Sequence, residues 1–138
     1  MAVYTAVDDA GSFYNTKLYT GTGSSLAVTG VGFQPDFTWI KNRDAADFHV
    51  LTDALRGVTK YLESNSTNAE VTNAESLKSF DSDGFTVGTM NEVNTNTEDC
   101  VSWNWKAGTT TGITTTGSTI TPSSYSFNTT SGFSLIAY

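Results

Sequence analysis

Residues 101–106 read Val-Ser-Trp-Asn-Trp-Lys, and this strict alternation of apolar and polar side chains restricts the fold more than any other feature of the chain. Successive side chains of a β-strand point to opposite faces, so Val101, Trp103 and Trp105 share one face and the polar residues share the other. The alternation therefore predicts a half-buried strand with a strongly aromatic face.

A second strong signal lies at residues 76–88, where two apolar segments flank Asp81-Ser82-Asp83-Gly84. Asp and Ser bond locally to the backbone, and Gly84 can take the positive φ that closes a tight connection. This segment predicts an antiparallel hairpin. Further strand candidates, separated by turn residues, are residues 13–20, 26–28, 37–41, 125–127 and 133–138.

The composition agrees with a fold made of strands. Charged residues are only 15% of the chain, and threonine is abundant; its branched Cβ restricts χ1 and favours extended backbone. Many short strands with regular turns predict an all-β, two-sheet antiparallel sandwich. A chain of 138 residues is the size of one domain. We expect the sandwich at residues 13–138 and an N-terminal arm or edge strand at residues 1–12.

Several segments are open to more than one interpretation. Residues 47–55 fit either one strand or two helical turns, and we prefer a strand. Residues 64–73 are rich in Ser, Asn and Thr and predict a surface loop, which has room for one short helix at residues 69–74. Residues 91–99 predict a polar loop, and the Thr/Gly-rich residues 108–119 predict an extended loop or a domain margin.

The acidic charge balance excludes two classes of partner. The formal net charge of −7 leaves no basic face for phosphates, so neither nucleic acid nor an anionic membrane surface is an expected partner. No stretch approaches the roughly 20 apolar residues of a membrane-spanning helix.

A single cysteine and a single histidine limit the sites that the chain can build. Cys100 has no partner for a disulfide or a CxxC site within the chain, and its apolar neighbours predict a buried thiol. For His49, local packing is favoured over a triad or a metal site. Asp81 and Asp83 resemble the opening of a calcium loop, but the later ligands are missing, so they are weak metal candidates and a structural turn is favoured.

Glycosidase chemistry needs two carboxyl groups at a set separation across a sugar. The candidates are Glu63, Glu70, Glu75, Glu92, Glu98 and Asp99. They lie in polar loops without a pattern, so solvated surface charge is the better interpretation. We expect no catalytic residue and no cofactor, calcium being the weak exception above.

Three tryptophans offer an alternative as a sugar-stacking platform, because the apolar faces of sugars lie flat on indoles. They are Trp39, Trp103 and Trp105. Their placement on alternating strands favours the core instead. The predicted core members are Phe37, Trp39, Phe80, Phe85, Val101, Trp103 and Trp105.

Four sequence blocks, read in order, give the chain a family resemblance. They are GFQPDFTWIKNR at residues 32–43, RGVTKYL at 56–62, SFDSDGFTVG at 79–88 and WNWKAG at 103–108. From about residue 2 to residue 138 the chain resembles a domain of unknown function found, often repeated, in tail-fibre-like and other structural proteins of marine bacteriophages, notably those of cyanobacteria. The resemblance implies a concanavalin-A-like jelly-roll sandwich in a virion protein, with no catalytic residues to carry over.

We therefore expect a non-catalytic virion protein, tail-fibre-like or a surface adhesion module, made in the host cytoplasm. Its expected partners are copies of itself, other virion proteins and host-surface glycan. Alternatives are a lectin-like carbohydrate-binding module, a capsid decoration or fibre-forming subunit and, least favoured, a glycan-degrading enzyme. Residues 1–12 and 133–138 are expected among the contacts between copies, because an exposed strand edge pairs readily with another chain.

Overall fold

The computed structural model describes residues 7–114, 116–117 and 119–138, and within these residues nearly all regular structure is β. The strands in chain order are β1 (Tyr14–Thr20), β2 (Leu26–Thr29), β3 (Phe37–Asn42), β4 (Val50–Asp53), β5 (Lys60–Glu63), β6 (Val71–Thr72), β7 (Leu77–Asp81), β8 (Gly84–Val87), β9 (Asp99–Trp105), β10 (Ser124–Phe127) and β11 (Ser134–Ala137). A 3-10 turn at Ala10–Ser12 and one α-helical turn, α1 (Asn91–Asn94), complete the described elements.

All strand pairs are antiparallel, and they form two main sheets and a hairpin. The six-stranded sheet has the order β1-β9-β3-β4-β5-β6, and the three-stranded sheet has the order β2-β8-β7. These two sheets pack as a sandwich, which confirms the predicted all-β, two-sheet antiparallel fold. Strands β10 and β11 form a separate hairpin.

The core lies between the two main sheets. It takes Ile40 and Val50 from the six-stranded sheet and Phe85, Val87 and Leu77 from the three-stranded sheet, all fully buried. Loop residues Val31 and Phe33 and the α1 residue Val93 also belong to it.

The predicted core is wrong in most of its members. Phe85 belongs to the core and Phe80 packs against it half-buried, but Phe37, Trp39, Trp103 and Trp105 do not. Those four and Val101 occupy positions that alternate with the inward residues of β3 and β9, so they lie on the opposite face of the sheet. Alternation identifies two faces of a strand but does not say which one turns inward.

The predicted hairpin at residues 76–88 is confirmed. Strands β7 and β8 pair with Phe80 opposite Phe85 and Asp81 opposite Gly84. Gly84 has a φ of +150°, and a Cβ there would lie 2.0 Å from the carbonyl oxygen of Val28 on β2. The close approach of β2 and β8 therefore requires glycine at this position.

The helix expected at residues 69–74 is absent, and β6 (Val71–Thr72) occupies that segment. Val71 pairs with Tyr61 of β5 and packs against the core, so tertiary pairing decides the local structure. The helical turn α1 forms instead in the segment predicted to be a polar loop. Residues 47–55 contain strand β4, as preferred.

The predicted N-terminal arm is only partly described, since residues 1–6 lie outside the described residues. The described remainder holds the Ala10–Ser12 turn rather than a strand, and the Asp9 side chain caps it by accepting from the Gly11 N–H at 2.9 Å. Among the described helices, none has the length and apolarity that crossing a membrane requires.

Candidate functional site

The outer face of the six-stranded sheet, the side turned away from the three-stranded sheet, carries the aromatic residues. On β9, Cys100, Ser102 and Asn104 point inward and are fully buried. Trp103 and Trp105 point outward and are half-buried. The strand predicted from its alternation is therefore present, with its polar side in the interior and its tryptophans on the outside.

Hydrogen bonds offset the cost of burying the polar side chains on the inner side of β9. The Asn104 amide donates to the Ser102 hydroxyl at 3.0 Å and to the Asn15 carbonyl at 3.1 Å, while its oxygen accepts from the Thr38 hydroxyl at 3.2 Å. A buried polar group destabilises a fold when it lacks partners, and these side chains have them. The network ties β1, β3 and β9 together beneath the outer face.

One row of outward side chains crosses five strands. The strand registers align Thr16, Trp103, Trp39, Leu51 and Leu62, and we call this set the tryptophan row. The two indoles lie 5.4 Å apart between ring centroids with a tilt of 57°. Each tryptophan lies on a strand that is paired on both sides, so the row forms a rigid and largely apolar strip of the sheet surface.

His49 fixes the orientation of the central indole. The Trp39 Nε1–H donates to His49 Nδ1 at 3.0 Å, which leaves the histidine proton on Nε2 in the neutral ring. Partial burial, followed by the nearby charge of Lys41, lowers the pKa of His49. The predicted role of local bonding agrees with this geometry, and His49 also bonds through its backbone N–H to the Asn65 side chain at 2.9 Å.

A second aromatic row is covered by the chain itself. Trp105 lies between Tyr14 at 5.0 Å and Phe37 at 5.3 Å, measured between ring centroids. Phe133, just before β11, stacks on Trp105 at 6.0 Å with an interplanar angle of 21° and also contacts Phe37. The β10–β11 hairpin thus caps this end of the outer face, leaving a cleft of about 380 Å³ beside Phe13.

The opposite end of the outer face carries an exposed leucine. Leu18 on β1 lies opposite Val101 on β9, and Lys41 on β3 lies on the other side of Val101 in register. Leu18 is 60% exposed, which is high for a leucine in a regular strand. An apolar side chain in that position on a sheet face is a feature of contact surfaces.

An open groove of about 490 Å³ adjoins the tryptophan row. Phe48 and the loop residues Ser64, Asn65, Ser66 and Thr67 line it. The groove is joined to the row through His49, which follows Phe48 in the chain and bonds to Asn65. The loop amide and hydroxyl groups that line the groove are therefore linked to the Trp39 indole through His49.

The two weak metal candidates both accept hydrogen bonds from the protein. Both Asp83 carboxylate oxygens accept backbone bonds, from Gly32 at 2.7 Å and Gly30 at 2.9 Å, and these N–H groups lower the pKa of Asp83. Asp81 accepts from the Thr86 hydroxyl at 2.7 Å. Within the described ranges, no group of three or more His, Cys, Asp or Glu side chains is arranged to hold a metal ion.

The six carboxylates considered for glycosidase chemistry are dispersed over the fold. Five of them have hydrogen-bond or ion-pair partners, which are Asn68 for Glu63, Lys60 and Arg56 for Glu70, Lys78 for Glu75, Asn42 for Glu98 and Thr20 for Asp99. Glu98 lies beside a second carboxylate, because the Asn42 amide donates both to Glu98 at 2.5 Å and to Asp47 at 2.9 Å. Sequence reasoning did not single out Asp47.

Cys100 is fully buried, as expected from its neighbours, and burial raises the pKa of its thiol to about 11. Sequence reasoning missed Leu18 and Phe133 as parts of the outer face. The only signal for Leu18 was the weak alternation of residues 14–20, and no local pattern places Phe133 against Trp105.

Comparison with protein families gives a match over residues 9–138 to the family described as Domain of unknown function (DUF7483). Neither a curated protein nor a solved structure matches the chain. The matched range contains both main sheets and the whole outer face described above.

Proposed function

The chain belongs to the family described as Domain of unknown function (DUF7483), and we propose that it is a non-catalytic adhesion and assembly module of a bacteriophage virion, of the tail-fibre or surface type. Two arguments support the proposal. The four sequence blocks resemble structural proteins of marine phages. The outer face supports the proposal as well, since Trp39 and Trp103 lie there rather than in the core of the sandwich.

The observation that carries the proposal is the outward direction of Trp39 and Trp103. A strand can place its large apolar side chains in the core, yet here small polar residues occupy the core side of β9 and the indoles lie outside. Aromatic residues set on a rigid sheet are suited to binding, because little conformational freedom is lost when a partner is bound.

A second candidate function, lectin-like binding of host glycan, is favoured by the groove beside the tryptophan row. Sugars present apolar C–H faces and hydroxyl groups together, and this surface presents indoles next to the amide of Asn65 and the hydroxyls of Ser64, Ser66 and Thr67. The net charge of −7 favours neutral or cationic sugars over acidic ones.

Immunogold labelling of purified phage particles with an antibody to this protein tests the virion role directly. Label at a fixed position on intact particles is the expected result, and it would also distinguish a fibre from a capsid location. Particles that contain the protein at no detectable level, by labelling and by mass spectrometry, would refute the virion role.

A glycan array tests the second candidate. Replacing Trp103 with Ala should weaken binding of any retained glycan by about tenfold or more, because an aromatic anchor is removed. Ile120→Ala is the matched control, since Ile120 is 61% exposed and lies in the loop before β10 rather than in the tryptophan row. Equal binding by both variants would exclude the tryptophan row as the glycan site.

The non-catalytic part of the proposal has its own test. Host polysaccharide incubated with the protein should release no reducing sugar above background. Glu98→Gln is the informative variant, because Glu98 adjoins Asp47. Turnover by the natural protein that disappears in this variant would show an enzyme.

A further inference from the structure

We propose that strand β1 is the edge through which two copies of this chain pair, forming one continuous sheet across the two molecules. The inference deepens the assembly part of the proposed function and names both its surface and its partner. It depends on the position of β1, the regularity of its backbone, the exposure of Leu18 and the local charge.

Strand β1 ends the six-stranded sheet, and in the described part of the chain β9 is the one strand that pairs with it. Lys106 donates to the Phe13 carbonyl and Gly21 donates to the Glu98 carbonyl, so the odd-numbered residues of β1 direct their backbone groups toward β9. Even-numbered residues direct theirs to the open edge. The Thr16 N–H is already bonded to the Asn15 side chain at 2.9 Å, which leaves Tyr14, Leu18 and Thr20 with the available donors.

The edge is long and regular. All seven residues of β1 pair with β9 in one unbroken register, and the strand contains neither proline nor glycine. Proteins usually protect an open edge with a short strand, a bulge, a proline or an inward charge. The other sheet ends follow that rule better, since β6 has two residues, β2 has four and β7 has a register shift between Leu77 and Ser79.

Side chains on β1 add an apolar contact to the open backbone. Leu18 is 60% exposed and Tyr14 is 38% exposed, and both point to the outer face. Pairing with another strand would cover Leu18 by placing an apolar residue beside it. Because these apolar side chains are exposed, we expect a strand of another protein molecule, rather than water alone, to cover this edge.

Charge makes a second copy the fitting partner. Each molecule carries a net charge of −7, so two copies repel over most of their surfaces. Strand β1 contains no acidic residue, and its one charged side chain, Lys17, lies on the inner face close to Gly30. Two copies can therefore meet along β1 with little repulsion, and an antiparallel pair of identical strands is self-complementary about a two-fold axis.

This pairing has a consequence for binding. A two-fold axis perpendicular to the sheet keeps the outer faces of both copies on the same side, so their tryptophan rows form one extended surface. Two weak sites presented together bind a repetitive surface with much greater avidity than either alone.

Sedimentation equilibrium over a wide concentration range tests the inference. The full chain should show a monomer–dimer equilibrium at protein concentrations up to about 1 mM, since a small interface of this kind is weak. Leu18→Lys should weaken the dimer by about tenfold or more while leaving the melting temperature unchanged, because the side chain is largely solvent-exposed. Ile120→Lys, at 61% exposure, is the matched control and should dimerise as the natural chain does.

Cross-linking gives an independent readout of the contact. In the register that places Leu18 opposite Leu18 of the second copy, Leu18→Cys should form a disulfide-linked dimer under mild oxidation, since residues facing each other across paired strands lie within disulfide distance. Ile120→Cys should not, and the buried Cys100 does not interfere. A chain that stays monomeric at every concentration overturns the inference but leaves the glycan and particle tests untouched. A dimer that survives Leu18→Lys also overturns it, and places assembly on a different surface.

Discussion

Asn94 is the residue at which we expect the largest loss of stability from removing a polar side chain. It is fully buried at the end of α1. Its amide nitrogen donates to the Ser24 carbonyl at 2.5 Å and the Gly88 carbonyl at 2.6 Å, and its oxygen accepts from the Thr22 N–H at 2.8 Å. The side chain therefore holds the loop between β1 and β2, which crosses from one sheet to the other, against the end of β8.

The magnitude follows from these three bonds. Asn94→Ala leaves three backbone groups without partners, and each bond contributes about 1 kcal/mol net. Water can reach the partly buried Thr22 N–H and Ser24 carbonyl after the substitution. The Gly88 carbonyl is buried, so losing its hydrogen bond destabilises the fold more. We expect a loss of about 3 kcal/mol in the free energy of unfolding, or about 10 °C in melting temperature for a chain of this size.

Urea titration followed by tryptophan fluorescence measures this loss. Asn91→Ala on the same helical turn is the control, because Asn91 is exposed and should change stability by less than about 0.5 kcal/mol. Asn94→Asp should be at least as destabilising at neutral pH, since a carboxylate would face two carbonyl oxygens, and should recover partly on acidification. A loss below about 1 kcal/mol for Asn94→Ala, or an equal loss for Asn91→Ala, would refute the reasoning.

Three further predictions concern the sandwich and its thiol. In denaturant titration, Trp103→Ala should lower the free energy of unfolding by about 1 to 2 kcal/mol and Phe85→Ala by about 3 to 5 kcal/mol, because only the phenylalanine leaves a cavity in the core. Equal losses would mean that the outer face is packed like an interior. The lowered pKa of Asp83 stabilises the fold at neutral pH, and this contribution is lost as pH falls through that pKa. Between about pH 5 and about pH 2 the natural chain should therefore lose more stability than Asp83→Asn, and parallel curves would contradict the assignment. Cys100, with a pKa of about 11 and full burial, should react with a thiol reagent at pH 8 only after urea unfolds the chain; rapid labelling of the native protein would show an open route to the thiol.

Local sequence patterns predicted the elements well where the pattern was strong. The alternation at residues 101–106 and the turn at residues 81–84 each predicted the strand or hairpin that the structure contains. The patterns were poor guides where pairing partners decide the conformation. Residues 71–72 form a strand because Val71 pairs with Tyr61, and no local signal shows that partner.

The candidate site was harder to predict than the fold. Trp39, Trp103 and Trp105 were recognised as a possible platform, but their large apolar surface favoured the core, since burial of an indole is strongly stabilising. The prediction that the indoles lie in the core was wrong because the six-stranded sheet has two faces, and an indole can be partly buried on either. The β10–β11 hairpin covers part of the outer face, and residues distant in the chain provide the contact.

By itself, the sequence determined the all-β class, the strand at residues 101–106 and the separation of its side chains onto two faces, because the two-residue period of a strand is a property of the backbone. Only the tertiary structure decided which face is interior. Phe85, Val87 and Leu77 of the three-stranded sheet supply the apolar side of the core, and Asn104, Ser102 and Thr38 can occupy the facing positions because their polar groups find partners on neighbouring strands. Those partners come from segments far apart in the chain, and the interior position of a side chain depends on them rather than on its own neighbours in sequence.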